Sequence, residues 1–282
     1  MNAIELNQAQ KRYSDFVLGP LTLSLPSGCI LGLVGENGAG KTTTIKLLLN
    51  LIRRDGGRVS VLGKDPASCG PGIKEDLGVV LDEVGFPDCL TPAQLDKVFR
   101  HTYSRWDSQE YHALLRRFQL PQAKPFSDFS KGMKMKLGLA VALSHHPKLL
   151  ILDECTAGLD PVVRDEVVEM IYDFTRQEDH SVLFSSHIVG DLEKLCDYVA
   201  FLHQGKLLLL EEKDRLLEDY RRISLPLSQL EALPGSAVLS RRQTPYGAEV
   251  LVKKENLPAG FAASPVSLEE LFVLLIKGRE HR

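Results

Sequence analysis

The chain opens on alternation. Ile4 and Leu6, and then Leu21, Leu23 and Leu25, are apolar at every second position with polar residues between them. A period of two puts successive side chains on opposite faces, so these runs predict antiparallel strands with one covered face. Later apolar runs do not alternate: Cys29 to Val34, Leu77 to Leu81, Leu149 to Leu152 and Ser181 to Phe184. Such runs predict strands buried on both faces. Val59 to Leu62, after the turn Asp55-Gly56-Gly57, predicts one more strand. Val199 to Leu202 and Lys206 to Leu210 predict a hairpin around Gln204-Gly205.

Elsewhere the spacing is helical. Thr43 to Leu49 predicts a helix, and Val162 to Arg176 another. Between 91 and 146 three apolar faces follow one another: Leu95, Val98 and Phe99; Leu114, Leu115 and Phe118; Met133, Leu137, Ala140 and Val141. Thr91-Pro92 is a helix start, with a capping hydroxyl and proline at the first helical position. Strand–helix–strand alternation predicts an α/β fold with a mainly parallel sheet covered on both faces. The expected organisation is a main domain over 1–220, with an antiparallel N-terminal β subdomain and a helical insertion over about 91–146. Past Arg221, Pro226, Pro234, Gly235, Pro245 and Pro265 punctuate short segments. They predict a small α/β appendage over 221–282, closed by a helix from Leu268 to Lys277.

Composition narrows this picture. At 282 residues the chain can bury a large core plus an appendage. Its net charge of −3 provides no basic field for nucleic acid. The five cysteines include no C-x-x-C pair, which predicts free thiols in a reducing cytosol. No apolar run approaches the roughly 20 residues that span a bilayer, and Met1-Asn2-Ala3-Ile4-Glu5 lacks the basic start of a signal peptide. The expectation is a cytoplasmic protein that crosses no membrane itself.

The most informative chemistry is Gly35-Glu36-Asn37-Gly38-Ala39-Gly40-Lys41-Thr42, which fits G-x-x-x-x-G-K-[ST] between a buried strand and a helix. Glycines let backbone N–H groups converge on one concavity. The helix N-terminus, running on through Thr43, adds free donors and partial positive charge. This is a P-loop: Lys41 is placed to reach the β- and γ-phosphates of ATP, and Thr42 to ligate Mg²⁺.

Four predicted strands end in polar residues: Val34 in the P-loop, Leu81 in Asp82-Glu83, Leu152 in Asp153-Glu154, Phe184 in Ser185-Ser186-His187. In doubly wound sheets ligands gather outside these carboxyl ends. Asp153 is a candidate to hold Mg²⁺ through water. Glu154 is a candidate to polarise the attacking water, and His187 to hold that water or the γ-phosphate. Ser130 can cap the helix that starts at Lys131, and Gly132 permits close backbone approach. Because that segment belongs to the insertion, it could meet a nucleotide bound to a second copy.

This order of motifs resembles the ATP-binding subunit of an ABC transporter over roughly residues 1 to 220. Gly35–Thr42 matches the family's Walker A loop and Leu149–Glu154 its Walker B strand with the glutamate. Phe129-Ser130-Lys131-Gly132-Met133 matches its signature, Ala157-Gly158-Leu159-Asp160 its D-loop, and His187 its switch histidine. The resemblance implies a P-loop ATPase core in which two copies, identical or paralogous, sandwich two ATP molecules head to tail. Ser130, Gly132 and Asp160 then help complete the neighbour's site. It also implies an integral-membrane permease as partner, a place on the inner face of the cell membrane, and export over import. Tyr13 falls where the family stacks an aromatic on adenine; packing is the other reading. The 82–87 stretch and the insertion fall where the permease docks, although Phe86 is equally suited to packing inside the subunit.

There are departures. Lys131 and Met133 replace a glycine and a glutamine. Asp82 stands at the Q-loop glutamine, where an acid can still bind Mg²⁺ through water. Cys155 replaces a proline and is expected to put a reactive thiol near the nucleotide, blocked by alkylation and protected by ATP. A soluble ABC-type ATPase and an ATP-sensing module without turnover are the alternative readings.

Overall fold

The computed structural model describes residues 1–278. In chain order the strands are β1 (Asn2–Arg12), β2 (Val17–Pro26), β3 (Ile30–Val34), β4 (Gly56–Val61), β5 (Leu77–Val80), β6 (Leu149–Asp153), β7 (Ser181–Ser186), β8 (Tyr198–His203), β9 (Lys206–Glu212), β10 (Tyr220–Leu225), β11 (Val238–Thr244), β12 (Gly247–Lys253) and β13 (Ser264–Pro265). The α-helices are α1 (Lys41–Leu48), α2 (Pro92–Arg100), α3 (Ser108–Arg117), α4 (Lys131–Leu143), α5 (Pro161–Phe174), α6 (Val189–Leu195), α7 (Lys213–Asp219) and α8 (Leu268–Lys277).

The alternating segments build a three-stranded antiparallel sheet in the order β2-β1-β4. Its covered face carries Ile4, Leu6, Leu21, Leu23 and Leu25, all buried. The continuous apolar runs build the central six-stranded sheet, β5-β6-β7-β3-β8-β9. It is parallel except for the β8–β9 hairpin, where Gln204 and Gly205 both take positive φ. That is the turn a tight antiparallel connection demands. One apolar layer lies between the two sheets, and a second fills the other face of the central sheet.

The insertion folds as expected, with Thr91 capping α2 in a reciprocal box with Gln94. One apolar assignment fails: Val98 is 46% exposed, while Leu95 is buried and Phe99 turns into a stack with Trp106. Leu114, Leu115 and Phe118 are buried, as are Leu137, Ala140 and Val141. The C-terminal segment forms a four-stranded antiparallel sheet, β11-β12-β10-β13. Helix α8, capped by Ser267 and Glu270, joins it to the main body: Phe272 stacks on Phe201 at 5.3 Å, and Leu268, Leu271 and Leu274 enter the main core. Among the described residues no helix is long and apolar enough to cross a membrane.

Register decides where polar residues gather. In the central sheet Val34 lies opposite Ser186, Asp153 opposite Ser185, and Val80 opposite Leu152. The carboxyl ends of four neighbouring parallel strands therefore align on one edge, and the residues following each strand share it.

Candidate functional site

The P-loop leaves β3 at Val34 and enters α1 at Lys41. Gly38 and Gly40 take φ of 82° and 110°. Position 40 accepts only glycine on steric grounds as well: a Cβ there would stand 2.5 Å from Leu18 and 3.2 Å from Phe16. The β8–β9 turn braces the loop, with Gly205 donating its N–H to the Ala39 carbonyl at 2.9 Å. The first turn of α1 has no side-chain cap and no acidic residue. Its N–H groups and their partial positive charge are thus left for an external anion.

Lys41 is 5% exposed and its ammonium is closely held. It donates to the carbonyls of Gly35 at 2.6 Å and Glu36 at 3.3 Å, and lies 3.0 Å from Oε1 of Glu154. That last contact is an ion pair without hydrogen-bond alignment, because Oε1 is buried with no hydrogen-bond partner. The other carboxylate oxygen of Glu154 meets Nδ1 of His187 at 2.6 Å. Glu154 itself sits at φ 51°, an uncommon conformation for a residue with a side chain. Its N–H is tied to the Ser185 carbonyl and its carbonyl to the Ala157 N–H, so strand pairing and the following turn hold it there.

Thr42 donates its hydroxyl to Oδ2 of Asp153 at 2.9 Å. Asp153 is 2% exposed, and the Ser185 hydroxyl donates to its other oxygen. A hydroxyl and one carboxylate are hard oxygen donors that suit Mg²⁺, which takes one or two carboxylates and fills the remaining positions with water and phosphate. No cluster of three or more His, Cys, Asp or Glu that could cage a metal occurs among the described residues.

Lys41, Thr42, Asp153, Glu154 and His187 thus come together. Tyr13 is 43% exposed on the β1–β2 turn, which reaches the P-loop through Phe16 against Gly40. Ser130 caps α4 by accepting from the Met133 N–H at 3.3 Å, and Asp160 caps α5 by accepting from Val162 and Val163. These two helix starts adjoin, since a Cβ on Gly132 would lie 3.4 Å from Val163. Among the described residues no hydrogen bond or ion pair joins Ser130, Gly132 or Asp160 to the P-loop of the same chain. Asp82 is exposed and lies 3.8 Å from the ammonium of Lys131, with no bond to Thr42 or Asp153.

Cys155 corrects the expectation attached to it. The side chain is fully buried in the core beneath the site, and burial together with the Asp191 charge pushes its thiol pKa far up. A buried neutral thiol is inert, so the proline position has become a packing position. Phe86 is likewise resolved as a packing residue, edge-on to Phe99 at 5.8 Å and Phe126 at 5.5 Å.

Two further contributors were not singled out from the sequence. Ser185 was visible only as part of a strand end, and its bond to Asp153 depends on the β6–β7 register. Arg164 and Asp191, a half-buried guanidinium on a buried carboxylate between α5 and α6, carry no local motif at all.

Comparison with known proteins bears on the family and the fold. The family model described as ABC transporter matches residues 18–157. The ABC transporter ATP-binding protein YtrB of Bacillus subtilis (strain 168) is 29% identical, across 98% of this chain and 99% of YtrB. The lantibiotic transport ATP-binding protein SrtF of Streptococcus pyogenes is 32% identical, across 75% of this chain and 91% of SrtF. A solved structure of an ATP-binding subunit of an ABC transporter superposes with a TM-score of 0.69 at 27% identity, covering 76% of this chain and 91% of that one. The chain belongs to the ABC transporter family, as an ATP-binding subunit whose ATPase energises transport.

Proposed function

We propose that this subunit hydrolyses Mg·ATP at the aligned strand ends and drives export through a separate permease. The observation that carries this reading is a set of contacts at one sheet edge, Thr42 on Asp153 and both Lys41 and His187 on Glu154. The P-loop N–H groups from Gly35 to Thr43 cradle the phosphates, and Lys41 neutralises the β- and γ-oxygens. Thr42 and Asp153 would hold Mg²⁺, which would supply positive charge to offset that of the phosphates. Glu154 accepts a hydrogen bond from the attacking water and polarises it, while His187 fixes Glu154 and the γ-phosphate side of that water.

Ser130, Gly132 and Asp160 act on the neighbouring copy. Their separation from the P-loop of their own chain supports that assignment. Binding of ATP then draws two subunits together, and hydrolysis releases them, turning phosphate chemistry into motion. ABC ATP-binding subunits work with membrane permeases. Here the proposed contact is the apolar recess lined by Leu48, Leu51, Ile73, Leu81 and Tyr103, together with the Asp82–Pro87 stretch that follows Leu81 and is exposed at Asp82, Glu83, Gly85 and Pro87. Its occupant is a short permease helix on the inner face of the membrane. The lantibiotic transport in the name of SrtF supports a lantibiotic as the kind of substrate.

The magnesium assignment is tested by Asp153→Asn. ATP binding without Mg²⁺ stays at the wild-type level. The gain that Mg²⁺ brings to wild-type affinity is lost, and turnover falls by a factor on the order of 10² or more. Unchanged magnesium dependence would refute the assignment.

A further inference from the structure

Helix α6 starts two residues after His187 and is only seven residues long. Its N-cap, Ile188, offers no side-chain cap, and Gly190 lies in its first turn. A helix this short has little stability of its own. Its position, and with it that of His187, is therefore inherited from the groups that hold it.

Val189, Leu192 and Leu195 seat α6 on the main core, and a small set of polar bonds fixes its two ends. At the far end the Tyr172 hydroxyl donates to the Lys194 carbonyl, Lys213 donates to the Glu193 carbonyl at 3.0 Å, and the Glu193 carboxylate accepts the Leu268 N–H at 2.7 Å. At the end next to His187 the Ile188 N–H donates to the Ser186 hydroxyl at 2.9 Å, the His187 N–H reaches Glu154 at 3.4 Å, and one ion pair joins α6 to α5. Arg164 places Nε at 2.6 Å and Nη2 at 2.5 Å from a single oxygen of Asp191, whose side chain is 4% exposed. The second oxygen of Asp191 is buried with no hydrogen-bond partner. A desolvated carboxylate with one cation on one oxygen depends wholly on that cation. Arg164 lies in the first turn of α5, and its N–H donates to the carbonyl of Asp160 at 3.0 Å.

We propose that the Arg164–Asp191 pair is a positioning clamp that aims His187 at Glu154 and ties it to the turn ending at Asp160. The clamp rests on the role given to His187 above. Because Asp160 belongs to the surface assigned to the neighbouring copy, seating of that copy reaches His187 through α5, Arg164 and the first turn of α6. His187 has one ring contact among the described residues, the 2.6 Å bond to Glu154, so a small shift of α6 breaks it.

The test is steady-state ATP turnover and ATP affinity of the full chain carrying Asp191→Asn, with and without His187→Ala. Asp191→Asn is expected to lower kcat by about tenfold, since misplacing a reacting group by an ångström is costly, while ATP affinity changes less than about twofold. In the His187→Ala background the same substitution should cost almost nothing more, because the clamp acts through His187. Arg164→Lys keeps the charge without the planar fork and should give a smaller loss in the same direction. It serves as the readout if the asparagine variant folds poorly. Glu193→Gln, at the far end of α6, should keep wild-type kcat. Wild-type kcat in both clamp variants would overturn the proposal, as would an equal loss with and without His187. Wild-type kcat in His187→Ala alone would instead overturn the reading on which the clamp rests.

Discussion

Two buried carboxylate centres in this molecule are built in opposite ways. Asp96, between α2 and α3, is 5% exposed and accepts from Trp106 at 2.8 Å, Ser108 at 2.6 Å and Arg100 at 2.8 Å. Burial raises its pKa, but those donors and the nearby charges outweigh burial and hold it below the usual carboxylate range. Every partner lies within the same helical layer, so the centre is closed. At the sheet edge Asp153 is buried and Glu154 nearly so, yet apart from Ser185 their side-chain partners are the P-loop lysine and threonine and an exposed histidine. Oε1 of Glu154 and the hydroxyl of Thr156 are buried without hydrogen-bond partners. A satisfied polar centre rigidifies a fold, whereas one whose partners can be exchanged is available for chemistry.

The largest effect that can break this contrast comes from Lys41→Met. It removes the cation shared by the phosphate site and Glu154, and should weaken ATP binding by at least about 2 kcal/mol, as for loss of a charged hydrogen-bonding partner. Isothermal titration checks this, and unchanged affinity would sever the P-loop from nucleotide.

Asp96→Asn should behave in the opposite manner. It should destabilise the fold by roughly 1–3 kcal/mol through impaired donors, with turnover per folded molecule nearly unchanged. The sign of the pH dependence follows from the lowered pKa. The ionised Asp96 stabilises the fold fully above its unfolded value of about 4, and that contribution is lost as the pH falls through its lower folded value. Denaturant midpoints of the two proteins should therefore differ by a constant amount at neutral pH and converge in acid.

The smallest effect concerns Cys155. Thiol reagents should not label it in the native protein, with or without ATP, but should do so in denaturant; exposed Cys89 should react in both. Rapid native labelling at Cys155 would show that the core beneath the site opens.

What could be read from residue order follows the same division. The central strands, α2 and α4 were readable because period and caps are local, as with Thr91 and Ser130. The P-loop and the residues ending β6 and β7 were readable because ligands collect at strand ends. Cys155 was misjudged because its neighbours in sequence are catalytic candidates, while its side chain points into the core. Val98 was misjudged because helical spacing fixes a face but not the width of its contact. The pairs Ser185–Asp153, Lys41–Glu154 and Arg164–Asp191 join residues 27 to 113 positions apart, set by sheet register and helix packing that no short pattern encodes.

The most direct measurement is ATP turnover by purified Glu154→Gln alongside its ATP affinity. The account predicts affinity at or above the wild-type level and turnover reduced by a factor on the order of 10² or more, because the amide keeps the shape but cannot act as the base. Turnover at the wild-type rate would contradict it.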